Sequence, residues 1–263
     1  MIKIKTLIKK EWAEVFKNRF VLFSVAFMPL IFTGIPLTIL YAIRSSGEVG
    51  DFSMEELYSH VANICGNLNV AECNQFVIIT QFMPLFMMMP VIIPITIASY
   101  SIVGEKATRT LEPLLATPIT TIELLVGKGL AAGIPAVLAT WASFAIFVIG
   151  GLLMKIEPRV VASFFDPLWL TGIFILGPLL ALAAISLAVM ISSRTTDPRV
   201  AEQIAGLFVL PLAGLLVAQA TGLLFLNKTL MAWMAVGVAI LDAGLLVFAV
   251  QLFQRETILT RWK

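Results

Sequence analysis

The sequence predicts an all-α membrane protein with six transmembrane helices, an N-terminal amphipathic helix in the interface and a short helix beneath the bundle. Three observations predict it. Hydrophobic residues make up 59% of the chain and charged residues 13%, against about a quarter charged in soluble globular domains. The mean hydropathy is +0.98. Apolar stretches long enough to cross a bilayer, about 20 residues each, recur six times between polar interruptions. A soluble globular domain is excluded, and the net charge of +2 implies no nucleic-acid partner, because in a membrane protein placement of charge outweighs its sum.

Residues 1–19 read as an amphipathic helix. Ile4, Leu7, Ile8, Trp12, Val15, Phe16 and Phe20 recur at three- and four-residue spacing, while Lys3, Lys5, Lys9, Lys10, Glu14 and Lys17 take the other face. A basic face opposite a Trp/Phe/Leu face describes a helix lying in the interface plane. No small-residue cleavage site follows a short apolar core, so the chain is expected to stay in the membrane as one unit.

The transmembrane domain is expected over 20–263. Its first span, 20–43, holds Pro29 and Pro36 as expected kinks. Residues 44–75 form the longest polar segment, rich in acids, with a short helix expected near 55–61. It also holds Cys65 and Cys73, which predict a disulfide within that loop; two free thiols are the alternative. In the second span, 76–102, Met83, Met87, Met88 and Met89 crowd among Pro84, Pro90 and Pro94. Such methionines either shape an adaptable apolar path or, more commonly, pack gaps around kinked helices.

The stretch 103–121 interrupts two apolar runs. Glu105, Lys106, Arg109 and Glu112 are costly in hydrocarbon, so the chain leaves the membrane there. Leu111, Leu114 and Leu115 nevertheless share one helical face around Pro113 and ahead of Pro118. The expected element is a short amphipathic helix pressed into another protein; the alternative is a tight turn whose leucines tuck against the chain's own helix ends.

Thr120 and Glu123 have the spacing of a capping box and start the third span, 122–154, which Pro135 is expected to break. Residues 155–167 form a second loop, with 160–165 expected to dip into the interface, and the fourth span covers 168–192. Asp197 followed by Pro198 is an N-cap with proline at the first helical position, opening the fifth span, which runs to about residue 224. After a short turn at Asn227 and Lys228 comes the sixth span, 230–253, and then a basic tail.

Six spans put both termini on one side. That side holds fourteen of the lysines and arginines, while only Arg44, Lys155, Arg159 and Lys228 lie opposite. This bias places both termini and the 103–121 stretch in the cytoplasm of a cell membrane, and the cysteines outside.

No catalytic set is present. There is one histidine, and neither HExxH nor GxSxG occurs. Lys128 between Gly127 and Gly129 fails as a phosphate loop: Ile122 stands where the first glycine belongs and Gly129 where Ser or Thr binds magnesium. Asp242 is the one acid deep in a span, a candidate ion or proton relay; the alternative is a protonated or hydrogen-bonded structural role near Ala235, Ala239 and Ala243.

The run Gly104-Glu105-Lys106, Arg109-Thr110-Leu111-Glu112, Leu114-Leu115-Ala116-Thr117-Pro118 and Gly127-Lys128 resembles the signature of ABC-2 type permeases, the membrane subunits of ABC exporters. Ile8-Lys9-Lys10-Glu11-Trp12 with Lys17-Asn18-Arg19, and Ser193-Arg194 with Asp197-Pro198-Arg199, agree with it. The resemblance implies a type V exporter-like half-transporter that pairs with a second permease chain, expected to be identical. It also implies docking to two separate ATPase subunits, which hold the ATP and magnesium; no cofactor is expected on this chain. Residues 1–19 would be a connecting helix. In the coupling helix Leu111, Leu114 and Leu115 would be apolar anchors, and Glu105, Arg109 and Glu112 polar partners. Lys106, Thr110, Pro113, Thr117 and Pro118 complete that docking set. The large outer loop lies between spans one and two, not five and six as in sterol and multidrug half-transporters, so the chain looks more like the prokaryotic sodium- or drug-exporting branch. The function expected is ATP-driven export; the alternative is a secondary transporter that uses Asp242 with an ion gradient.

Overall fold

The computed structural model describes residues 2–46, 65, 69–107, 119–224 and 226–252, and every regular element among them is helical. The elements are α1 (Ile2–Val15), α2 (Arg19–Ser46), α3 (Val70–Ala107), α4 (Thr121–Leu153), α5 (Pro158–Phe164) and α6 (Pro167–Thr171). A π-helical turn at Gly172–Leu176 leads into α7 (Gly177–Arg194). Then follow α8 (Pro198–Gly206), a 3-10 turn at Leu207–Val209, α9 (Leu210–Ala220) and α10 (Lys228–Leu252). Six stretches have the length and apolarity to cross a membrane: Val21–Ile43, Glu72–Glu105, Ile122–Leu153, Pro158–Arg194, Pro198–Ala220 and Lys228–Leu252.

The helix starts follow local rules. Thr120 Oγ1 accepts from the Glu123 amide at 3.2 Å and the Glu123 carboxylate accepts from the Thr120 amide at 2.9 Å, the reciprocal capping box that opens α4. Asp197 Oδ1 accepts from the Arg199 amide at 2.8 Å with Pro198 at the first position, so α8 begins where its sequence says. Asp166 caps α6 in the same way, again with proline following. α1 ends at Val15, short of the 1–19 expected, because three-residue bonds from Lys17 to Glu14 and from Asn18 to Val15 turn the chain into α2.

α3 is the buried axis, packed against α2, α4, α7, α8 and α9. Met83, Met87 and Met89 lie in the core with Phe86, Ile79, Ile93 and Ile97, and Met87 reaches the bare backbone of Gly172. The methionines therefore fill gaps inside the chain. Phe86, Phe144, Phe147 and Phe164 meet edge-on or tilted at 5.3–6.0 Å and extend this core toward α4 and α5.

Prolines sit inside these helices without ending them. Each removes an N–H and leaves the carbonyl four residues earlier without its donor. In α4, Pro135 orphans the Ala131 carbonyl, which accepts instead from the Trp12 indole at 2.9 Å. In α3, Pro84 orphans the Thr80 carbonyl, which accepts from the Gln219 amide at 2.8 Å. In the π turn the Gly177 amide bonds back to the Gly172 carbonyl. That register leaves Ile173 facing Pro178, which has no N–H, and the Trp141 indole donates to Ile173 at 3.3 Å.

Several expectations change. Pro135 does not break the third span, because Trp12 supplies what the backbone lost. Where residues 160–165 are expected to dip into the interface, α5 forms and turns Val160 and Phe164 fully into the core. Ala239 and Ala243 are exposed on α10, and the side that packs inward carries Met231, Asp242 and Ala249. The short helix expected near 55–61 lies outside the described residues.

The Trp12–Ala131 bond has a decisive test. Trp12→Phe leaves a buried carbonyl unpaired and should cost about 1–3 kcal/mol. In a Pro135→Ala background the backbone amide regained at that position restores the helical bond, so the same change should cost much less. Thermal unfolding of the two single variants and the double variant in detergent measures the difference.

Candidate functional site

A charged residue on an apolar helix stripe is the local signal from which this site is built. Leu7, Glu11 and Val15 follow at four-residue spacing on α1, and all three are buried. Leu124, Lys128, Ala131 and Ala132 do the same on α4, and Ser101 and Glu105 share one face at the end of α3. Three helices thus each point a polar group at one spot.

Lys128 Nζ stands at its centre. It donates to Glu11 Oε1 at 2.8 Å and to Ser101 Oγ at 2.8 Å, and pairs with Glu105 Oε2 at 2.8 Å as an ion pair set off the hydrogen-bond direction. Ser101 Oγ donates to Glu11 Oε2 at 2.5 Å. The side chains of Lys128, Glu11 and Glu105 are 5%, 2% and 3% exposed. Lys10 closes the cluster from its rim, bonded to Glu105 Oε1, 3.7 Å from Glu11 and 3.4 Å from Glu14. Farther out, Lys3 lies 3.8 Å from the capping carboxylate of Glu123.

Gly127 makes the approach possible. A Cβ there would collide with Leu7, so the glycine lets α1 settle against α4 close enough for Glu11 to reach Lys128. The Gly-Lys-Gly run is thus a contact between helices. The carboxylates of Glu11, Glu14 and Glu105 converge within 4.8 Å, a spacing that would suit a divalent cation. Lys10 already contacts all three acids and Lys128 two of them, so ammonium groups do the neutralising.

Burial alone would raise the Glu11 carboxyl, but Lys128 and the bonds from Lys128 and Ser101 override it and hold it below its ordinary value of 4.5. Burial would lower the Lys10 ammonium; the bond to Glu105 and the nearby acids override that and raise it above 10.5.

Of the residues the sequence singles out, Glu105 falls inside this cluster. The side chain of Lys106, and Arg109, Thr110, Leu111, Glu112, Pro113, Leu114, Leu115, Thr117 and Pro118, lie outside the described residues. The segment that holds them is framed by the cluster, with Glu105 before it and Lys128 after it. Cys65 and Cys73 are joined by a disulfide with Cα atoms 5.5 Å apart, at the start of α3, away from the cluster at its end. Asp242 is elsewhere, buried on α10. Sequence reasoning missed Glu11, Ser101 and Lys128 as partners, and also Glu202, whose carboxylate accepts from Thr96 at 2.6 Å between α8 and α3. The signal for Glu11 and Lys128 was a charge in register with buried apolar neighbours.

Six apolar crossings around a methionine-filled axis, with an amphipathic helix locked to one end, define a polytopic helical membrane protein. The profile described as ABC-2 family transporter protein matches residues 5–234, and the chain belongs to that family of ABC transporter membrane proteins. No individual curated protein matches it.

Lys128→Met leaves two buried carboxylates facing each other and should cost about 3–5 kcal/mol; adding Glu11→Gln should recover part of the loss. Unfolding of the single and double variants in nanodiscs measures both. The cluster also sets a pH window. Glu11, held low, contributes stability above 4.5 that is lost as pH falls through its folded value. Lys10, held high, contributes stability below 10.5 that is lost as pH rises through its folded value. Melting temperature should change little from this cluster between those limits, and Glu11→Gln should weaken the acid-side loss.

Proposed function

We propose that the chain is the membrane subunit of an ATP-driven exporter in the cytoplasmic membrane, with both termini in the cytoplasm. Two copies form the pathway, and each docks a separate ATPase subunit that binds ATP and magnesium. The docking element is the 103–121 stretch, with Leu111, Leu114 and Leu115 as anchors and Arg109 and Glu112 as polar partners. Membership in the ABC-2 family supports this reading.

One observation carries it furthest. The start of the docking stretch and the helix that follows it are tied, through Glu105 and Lys128, to the same carboxylate-bearing helix, α1. A push delivered between residues 108 and 118 therefore loads α1, α3 and α4 together. ATP closing the ATPase dimer would move these stretches as rigid levers and tilt the two permeases between inward- and outward-open states. Glu105 serves the lever from within the chain.

A charge on the anchor face tests the lever. Leu115→Asp should leave membrane insertion intact while ATP hydrolysis loses its stimulation by cargo and export stops, both measured with the reconstituted complex. Export that survives the substitution sinks the lever. A gradient-driven transporter predicts instead that the purified chain moves cargo without nucleotide and fails on Asp242→Asn.

A further inference from the structure

Asp242 is 3% exposed, and neither carboxyl oxygen has a hydrogen-bond partner among the described residues. It faces inward with Met231 and Ala249, on the side of α10 that packs against α6, the π turn, α7 and the edge of α4. Among the described residues, no ionisable group on these four elements is paired with it. α6 and the π turn carry none, and α7 carries only Arg194, its exposed last residue. On α4, Glu123 and Lys128 lie in the first turns, one capping the helix and the other held by Glu11 and Glu105. The only other charge on α10 is Lys228 at its start, near Asp166 at 3.7 Å.

Depth follows from the helix rise. At about 1.5 Å per residue, Asp242 lies roughly 21 Å along α10 from Lys228 and about 15 Å from the other end. Met231 reaches Gly172, and both spans run the same way, so Asp242 falls near the level of Ala183 and Ala184, both fully buried. An ionised carboxylate at that depth, with neither cation nor donor, is the costliest form the side chain can take; the neutral acid avoids the cost. A metal cation needs several oxygen ligands, and among the described residues Asp242 belongs to no cluster of ligating side chains. A proton needs only the carboxylate.

We propose that Asp242 is an intramembrane proton-binding site: the carboxyl holds a proton while the last span lies on the fourth, and gives it up only when that helix pair parts and water enters. Movement of α10 is then linked to release of one proton, a linkage that neither the ion cluster nor the docking stretch provides.

The site is read directly on the full chain in lipid nanodiscs, without any ATPase, by the infrared difference spectrum between wild type and Asp242→Asn at neutral pH. The expected result is a protonated-carboxyl carbonyl band present in wild type and lost in the variant. A pair of ionised-carboxylate bands in its place overturns the site. The linkage is read on the complex with its ATPase in vesicles, and this arm alone rests on the function proposed above. Asp242→Asn keeps the shape but cannot release a proton, so it should abolish a limb of the pH profile of cargo-stimulated hydrolysis that wild type shows. Identical profiles overturn the linkage while leaving the lever untouched.

Discussion

A peptide carbonyl that loses its donor inside hydrocarbon has no water to turn to. The chain places prolines in the middle of its spans, so the constraint applies repeatedly. At Pro135, Pro84 and Pro178 the freed carbonyl is answered by a side chain from another element, and the local repair becomes a tertiary contact. Trp12 joins the N-terminal helix to the third span, Gln219 joins the fifth to the second, and Trp141 joins the third to the fourth. At these three positions a proline inside a helix creates a socket.

Two unlike interactions hold α1 on α4: the Trp12 socket and the Glu11–Lys128 pair, made by adjacent residues of α1 with positions about one turn apart on α4. They complement each other physically. The indole bond is neutral and short-ranged, so it fixes register. The ion cluster is charged and buried, so losing one member leaves the others uncompensated, which makes the assembly all-or-none. Apolar burial alone would let a short amphipathic helix slide along the surface. The socket and the cluster give it one seat.

What the sequence disclosed and what it hid follow from the range of each interaction. The Thr120–Glu123 box and the Asp197-Pro198 start are settled within three residues, and both stand in the structure as read. The six spans are legible because apolarity over about 20 residues is a property of composition. Glu11 and Lys128 are 117 residues apart, and no local pattern says which acid meets which base. The same holds for Pro135: from sequence it reads as a break, since only Trp12, far upstream, shows that the helix is repaired. Of the alanines at four-residue spacing on the last span, Ala235 packs on the core while Ala239 and Ala243 are exposed, because such spacing marks a surface able to pack without saying which neighbour is present.

The spans also differ in how firmly they are embedded. Within an apolar 18-residue stretch of each, 56% of the second span and 61% of the fourth is buried inside the chain, against 12% of the first and 11% of the fifth and sixth. The second and fourth, packed on the third, form the stiff body to which α1 is locked. The fifth span is jointed by a 3-10 turn between α8 and α9 and meets α3 through the polar contacts of Glu202 and Gln219. A packed apolar core resists rearrangement, and the first, fifth and sixth spans contribute little to it. A force entering beside the ion cluster would thus be carried by the stiff body with little internal strain. Its compliance lies in the outer spans, where movement costs the fewest buried contacts.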